Sequence, residues 1–278
     1  NSAGLVSTDA ANSIYYVASR FLLPACIVLL TVSVDLPGIL KLGPKAIILF
    51  LTGTFGIVIG GPIALLILSF FSPELLGNNG PQDVWRGMTT VAGSWIGGGA
   101  NQAAMKEIYE VGDTIFSSMI AVDIIMANIW MAVLLLLAGN AKAIDEKTGA
   151  DTSALENLKA SVLEFQKRHA RIPHLDDLMI ICAVGFGVTG VAHIFADVVT
   201  PFMMEHYPDS KELSFHSKFF WMIVSASAMG IALSFTRLRK IEAVGASKIG
   251  SAFLYFLIAA IGLKMDVLAI FESPLYFL

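Results

Sequence analysis

Long apolar stretches alternate with short polar connections along the whole of this 278-residue chain. A helix needs about 20 mostly apolar residues to cross a bilayer, and several stretches approach or exceed that length. The pattern predicts seven apolar helical segments, each with boundaries good to a few residues. They cover residues 13–34, 45–72, 84–109, 114–138, 176–204, 218–236 and 248–266.

Composition agrees with this pattern. Hydrophobic residues make up 56% of the chain and charged residues 14%, against roughly 45–50% and about 25% in soluble domains. Both cysteines, Cys26 and Cys182, lie inside apolar segments, where small core residues are more usual than disulfide or metal ligands. We therefore predict an all-α, multi-pass membrane protein that contacts lipid and does not bind nucleic acid.

The third segment contains a stretch unusual for an apolar helix, "GSWIGGGANQAAMKE" at residues 93–107. Three consecutive glycines disfavour a continuous helix. We expect a half-helix over 83–95, a turn at membrane depth over 96–99 and a second half-helix over 100–109. Backbone without helical hydrogen bonds is tolerated at that depth only when it is buried in protein or lines a wet cavity. The alternative is a kinked helix that packs closely through its glycines.

The polar residues beside this break suggest a binding site. The second half-helix would present free N–H groups and its positive dipole end, which favour an anion such as a carboxylate. Asp123 lies near the middle of the fourth segment, where a carboxylate is costly and often functional, although a protonated aspartic acid bonded to a neighbouring helix is the alternative. The candidate solute- or ion-binding residues are Ser94, Gly97, Gly98, Gly99, Asn101, Gln102, Asp123 and, more weakly, Asn128.

The distribution of charge predicts how the third segment lies. If it enters and leaves on one face, most of the 18 Lys and Arg residues collect on the opposite side. That arrangement obeys the positive-inside rule far better than seven crossings. It places the loops 36–44, 139–175 and 237–247 in the cytoplasm and the protein in the cell (inner or plasma) membrane.

Two segments resemble each other when Asp35 is aligned with Asp266: "FLLPACIVLLTVSVDLPGILKLGP" and "FLYFLIAAIGLKMDVLAIFESP". Five crossings would separate them, and an odd number makes two repeats inverted. Residues 1–138 are then the C-terminal part of a first inverted repeat and residues 176–278 the N-terminal part of a second, so the chain is expected to be the middle of a longer protein. The match is short, and chance similarity between apolar segments is the alternative.

The connection between the repeats, residues 139–175, is predicted to be a cytoplasmic linker. Within it, Ser153 and Glu156 have capping-box spacing, and apolar residues recur at helical intervals. An amphipathic helix at the membrane surface and a solvated linker helix are equally compatible with this pattern.

An enzyme is not expected. Ser94 and His193 form the one pair at depth that a hydrolase could use, and no motif supplies a third group to orient the base. Zinc, P-loop and dinucleotide signatures are absent from the sequence. His193 and Asp197 share a helix face and could relay protons, or form an interfacial pair.

Three stretches resemble one known family. The "GSWIGGGAN" motif, the "LPACIVLLTVSVDLPGILKLGP" segment and "GSAFLYFLIAAIGLKMDV" after the "TRLRKIEAVGAS" loop are similar to the domain-of-unknown-function 819 family of bacterial and plant membrane proteins. That family is grouped with the cation–proton antiporter and anion-transporter superfamily, whose members include bile-acid and 2-hydroxycarboxylate sodium symporters. The resemblance covers residue 15 to the end of the chain.

The resemblance implies two inverted repeats, each with scaffold helices and a core that carries a broken or re-entrant helix. Relatives bind solute and coupling ion at those breaks, which here correspond to residues 94–102 with Asp123 nearby. Family members are longer and carry a second small-residue motif that this sequence lacks. Homodimers are usual among the relatives.

We therefore expect a secondary active transporter that works by alternating access on a small anionic or zwitterionic solute. Sodium or a proton is the expected coupling ion, and no other cofactor is expected. A passive channel and a membrane scaffold without transport are the alternatives.

Overall fold

A computed structural model gives the fold and describes residues 6–40, 43–71, 73, 80–149, 153, 160 and 172–264. These residues form α-helices, a π-helical turn at Ala18–Leu22 inside the first of them, two short 3-10 helices and connections, with no β-strand among them. We number the α-helices in chain order. They are α1 Thr8–Val32, α2 Leu36–Leu40, α3 Pro44–Phe71, α4 Val84–Gly97, α5 Gly99–Ile108, α6 Asp113–Gly139, α7 Ala141–Thr148, α8 Leu175–His206, α9 Lys218–Ser234 and α10 Ala246–Gly262.

Four described helices are long and apolar enough to cross a membrane, which confirms the predicted all-α membrane class. A fifth span is obtained if α9 and the 3-10 helix Arg237–Val244, bent by 94° at their junction, are counted together. α10 is apolar but shorter. The four long spans are Thr8–Val32, Ala46–Phe71, Asp113–Gly139 and Leu175–His206.

The first helix begins at Thr8, earlier than the predicted residue 13. Ser7 forms its N-cap, and its hydroxyl oxygen accepts a hydrogen bond from Ala10 N at 3.3 Å. Such a cap satisfies one of the N–H groups left unpaired at a helix start. The apolar pattern placed the start too late because polar residues such as Asp9 occupy the first turn of the helix.

The second half of α1 is the centre of a helical bundle. Leu23, Cys26 and Leu29 are fully buried, and α8, α9 and α10 pack around them. Glycines permit this close packing: a Cβ at Gly185 of α8 would lie 3.3 Å from Leu29, and one at Gly250 of α10 would lie 3.2 Å from it. Small residues at contacts are the usual means by which membrane helices approach each other.

The first and last described helices are antiparallel. Asp35, just after α1, pairs with Arg239, just before α10, at 2.7 Å. At the opposite end of the bundle, Lys264 Nζ lies 4.6 Å from the ring centroid of Tyr15 in the first half of α1. We refer to these as the Asp35 end and the Tyr15 end.

The outward surface of the bundle is apolar. α3 is exposed along its length, with Leu49 73% and Phe70 86% accessible, and the second half of α6 is exposed as well. Apolar side chains exposed over whole helices are expected where lipid tails surround a protein. This surface supports the assignment of α3 and α6 to the membrane.

The connection after α6 begins with α7, a short helix of eight residues that ends at Thr148 and is followed by the C-cap residue Gly149, whose φ is +65°. The amphipathic helix predicted around Ser153 and Glu156 lies largely outside the described residues. So does Asp266, and with it most of the second copy of the predicted repeat.

Candidate solute- and ion-binding site

The glycine-rich segment forms a helical hairpin. At its base, Gly112 N donates a hydrogen bond to Pro81 O at 2.7 Å, and the Arg86 guanidinium donates to the carbonyl of Tyr109. These contacts join the residues before α4 to those after α5, so the two helices run antiparallel. The hairpin therefore returns to the end of the bundle at which it starts.

The turn of the hairpin is a single residue. Gly98 has φ +82° and ψ −173°, a conformation that is essentially restricted to glycine, and its N–H donates to Ser94 O at 2.7 Å. The predicted turn over 96–99 was too long, because Gly97 ends α4 and Gly99 begins α5. One glycine suffices because this conformation reverses the chain within one residue.

The neighbouring glycines have other roles. A Cβ at Gly97 would overlap with Nδ2 of Asn101, and a Cβ at Gly93 would lie 3.1 Å from the Asn101 carbonyl oxygen. These two glycines let α4 and α5 touch near the turn. A Cβ at Gly99 would meet nothing closer than Ile258 of α10, at 3.9 Å.

The tip of the hairpin lies beside the middle of α6. α6 starts at Asp113, next to the base of the hairpin, and Asp123 is ten residues further along it. At 1.5 Å per residue this is about 15 Å, roughly half of a hydrocarbon core of ~30 Å. The tip therefore reaches the depth at which Asp123 lies.

Asp123 binds the tip of the hairpin through both carboxylate oxygens. Its Oδ2 accepts hydrogen bonds from Ser94 Oγ at 2.7 Å and from Gln102 Nε2 at 3.2 Å. Its Oδ1 accepts from Trp95 Nε1 at 2.7 Å. The structure thus brings three of the predicted site residues together and adds Trp95, which the sequence interpretation missed.

The start of α5 has the features expected of an anion site. No side chain among the described residues caps it, and Gly98, the N-cap residue, has none to offer. The first N–H groups of α5 and the positive end of its dipole therefore remain available close to Asn101. Asn101 is half-buried, and its side-chain amide lies next to Gly97 at the same tip.

Asn128 lies apart from this cluster. It is exposed, and its Nδ2 donates a hydrogen bond to the carbonyl of Ile124 in its own helix at 2.7 Å. Five residues beyond Asp123 correspond to a rotation of about 140° relative to that residue. Asn128 thus faces away from the hairpin, toward the apolar surface.

A second polar cluster lies at the Tyr15 end, where the sequence interpretation used its charges only to assign sides. Lys106 of α5 pairs with Asp113 of α6 at 2.6 Å, and Lys264 pairs with the same carboxylate at 3.1 Å. Glu107 of α5 pairs with Arg20 of α1 at 2.5 Å. These pairs connect the base of the hairpin to α1 and to the end of α10.

Tyr15 joins the two halves of this cluster. Its hydroxyl donates to Glu107, and Lys106 Nζ lies 4.4 Å from the centroid of its ring. Lys106 is only 5% exposed, so its charge is held by these partners rather than by water. Spacing could not reveal the cluster because its residues come from distant parts of the chain.

His193 has a structural partner on α1. Pro24 lacks the N–H that would bond the carbonyl of Arg20 one helical turn earlier, and His193 Nε2 lies 2.9 Å from that oxygen. The pairing of His193 with Ser94 that a hydrolase would need does not occur. Asp197, one turn beyond His193, forms an exposed ion pair with the first residue of α9.

Comparison with known proteins identifies a family. The family model described as "Protein of unknown function (DUF819)" matches residues 1–278, the whole of the chain. No curated protein and no solved structure matches the chain.

Proposed function

We propose a transport function for this chain, which belongs to the DUF819 family. On this proposal it is a secondary active transporter that moves a small anionic or zwitterionic solute, coupled to sodium or protons. The observation that carries the proposal is the uncapped start of α5 at about half the depth of the membrane, beside the carboxylate of Asp123.

The two groups at the tip suit ligands of opposite charge. The N–H groups of α5 and the amide of Asn101 would bind a carboxylate or another small anion. Asp123 would bind a cation, and a zwitterion could engage both. Gln102 and Ser94 would orient Asp123 through their hydrogen bonds to Oδ2.

The packing of the helices suggests which parts move. The hairpin packs closely against α6, whereas α1, α8, α9 and α10 form the buried bundle. At the Tyr15 end the two groups are joined by the pairs Arg20–Glu107 and Lys264–Asp113. We propose that these pairs hold the site closed at that end and separate when it opens there, as alternating access requires.

An inverted repeat and a place in the cation–proton antiporter and anion-transporter superfamily belong to the same proposal. The antiparallel arrangement of α1 and α10 supports it, because inverted copies of one segment must run in opposite directions. The Asp35 end, with the loops 36–44 and 237–247, would face the cytoplasm, in keeping with its basic residues.

The proposal is tested first by binding. Purified full-length protein is screened by thermal shift against carboxylates, amino acids and cell-wall fragments, with and without sodium. Compounds that raise the melting temperature are then tested for uptake into proteoliposomes under sodium or pH gradients. We expect saturable, gradient-dependent uptake that Asn101→Ala and Asp123→Asn abolish and that the lipid-facing control Asn128→Ala retains.

Two outcomes would contradict the proposal. A conductance that rises linearly with solute concentration and needs no gradient would indicate a passive channel. Absence of any binding compound, together with unchanged growth of cells that carry Asp123→Asn or Asn101→Ala, would indicate a scaffold without transport.

A further inference from the structure

We propose that Asp123 is a proton carrier and that the proton binds to its Oδ2 atom. The inference rests on the proposed function, because it names the proton as the coupling ion of that site. It follows from the different hydrogen-bonding abilities of the groups around the two carboxylate oxygens.

The environment of Oδ1 does not change with protonation. Its partner is the Trp95 indole N–H, which can donate a hydrogen bond but has no lone pair with which to accept one. A proton on Oδ1 would find no acceptor in the group bonded to that oxygen, because the indole N–H can only donate. Oδ1 is therefore an acceptor whether or not Asp123 carries a proton.

The groups around Oδ2 can change from hydrogen-bond donors to hydrogen-bond acceptors. The Ser94 hydroxyl donates to Oδ2 at 2.7 Å but can also accept, and the Gln102 side chain offers an acceptor oxygen if its amide turns over. When Oδ2 gains a proton, the new O–H donates to Ser94 Oγ, and the Ser94 hydroxyl hydrogen turns to a backbone carbonyl of its own helix. The carboxylate then becomes a neutral carboxylic acid with every partner still satisfied.

No charged side chain of the described residues pairs with Asp123. The charged groups of the helices packed on it lie at the base of the hairpin and have other partners: Arg86 bonds a carbonyl, Lys106 pairs with Asp113, and Glu107 pairs with Arg20. Asp123 therefore has no cationic side chain among the described residues to stabilise its charge, only three neutral donors and the positive dipole end of α5. Binding a proton removes that charge from the middle of the membrane.

A sodium ion fits these contacts less well than a proton does. Hard cations prefer oxygen ligands, whereas two of the three groups that bond Asp123 present N–H groups to it. Gln102 could turn its oxygen inward, but Trp95 has none. To accept sodium at Oδ1, the indole would have to leave its position.

The test is infrared difference spectroscopy of the full-length protein in lipid nanodiscs, recorded across a pH titration. A protonated carboxyl group gives a C=O stretching band separate from the amide and carboxylate bands. We expect such a band to appear in acidic buffer for the wild-type protein and for Asn128→Ala, and to be missing for Asp123→Asn. Size-exclusion profiles establish that each variant is folded.

A second variant locates the proton. With the proton on Oδ2, Oδ1 is the carbonyl oxygen of the carboxylic acid. Trp95→Phe removes the hydrogen bond that the indole donates to this oxygen, so the C=O band should shift to higher wavenumber. Trp221→Phe is the matched control, because the indole of Trp221 donates to the backbone carbonyl of Phe215 instead. An unshifted band in Trp95→Phe would overturn the assignment to Oδ2.

Two results would contradict the proposal that the proton is the coupling ion. One is a wild-type spectrum with no band that Asp123→Asn removes. The other is loss of the band when sodium chloride replaces choline chloride at constant pH. Failure of the transport proposal is a separate outcome, since the band would then be present while proteoliposomes take up no solute.

Discussion

His193 Nε2 lies 2.9 Å from the carbonyl oxygen of Arg20, the oxygen that Pro24 leaves without its helical donor. His193→Ala should therefore leave a half-buried acceptor unpaired and destabilise the protein. In a Pro24→Ala background the restored N–H bonds the same oxygen, so the loss should be smaller. A double-mutant cycle by thermal unfolding should give a coupling of about 0.5–1.5 kcal/mol, and additive effects would refute the explanation.

Gly98 should be much less replaceable than its neighbour Gly99. Gly98→Ala places a side chain at φ +82°, which should cost about 1–3 kcal/mol in the free energy of unfolding. Gly99→Ala is the control, because Gly99 is helical and its Cβ would meet nothing closer than 3.9 Å. Equal melting temperatures for the two variants would contradict the single-residue turn.

Replacing Asp113 and replacing Lys106, the two partners of one ion pair at the base of the hairpin, should lower the stability of the protein by different amounts. Asp113→Asn leaves the buried charge of Lys106 without its carboxylate, and uncompensated buried charges typically cost about 3–5 kcal/mol. Lys106→Met removes that charge and still leaves Asp113 its pair with Lys264, so it should destabilise less.

The double variant Lys106→Met/Asp113→Asn should recover part of the stability lost in Asp113→Asn. Lys218→Ala, which removes an exposed pair, serves as a control with an expected effect below about 1 kcal/mol. A larger loss for Lys106→Met than for Asp113→Asn would show that Lys106 does not depend on Asp113.

Gly230 of α9 packs directly on α1. A Cβ there would overlap with Thr31 Oγ1, so Gly230→Ala should destabilise the bundle by about 1–3 kcal/mol. Thr31→Ala removes the overlapping hydroxyl and should restore part of that loss in the double variant. Gly187→Ala, where a Cβ meets nothing within 4 Å, should leave the melting temperature unchanged or slightly raised.

The proposed orientation in the membrane predicts which residues can be labelled from outside. In a background without Cys26 and Cys182, an impermeant maleimide should label Asp209→Cys, between α8 and α9, in intact cells. Glu146→Cys, in α7, should react only after the cells are permeabilised. Equal labelling of both positions in intact cells would disprove the orientation.

The sequence predicted the membrane class, the broken third segment and most of the tip. Ser94 and Gln102 could be named because uncharged polar groups stand beside the glycine break in an apolar segment, whereas the nearness of Asp123 was implied only by the family resemblance. The extent of the break could not be predicted: three glycines look alike in a sequence, whereas only Gly98 needs its positive φ.

Other parts of the site depend on tertiary packing. Trp95 was missed because an indole in an apolar segment normally indicates a core or interfacial aromatic residue, and its bond to Asp123 depends on how α4 packs on α6. The cluster of Lys106, Glu107 and Arg20 was missed because charges near the ends of segments are ordinary in membrane proteins.

The hairpin is closed at its base by its own hydrogen bonds, and its tip is bonded to α6 through Asp123. α4 has 14 residues, so the tip lies about 21 Å from the base along the helix axis. A tilt of about 10° at the base would carry the tip nearly 4 Å, which exceeds the roughly 3 Å length of a hydrogen bond. A small tilt of the hairpin together with α6 would thus move a solute bound at the tip by more than a hydrogen-bond length relative to the bundle, without unfolding any helix.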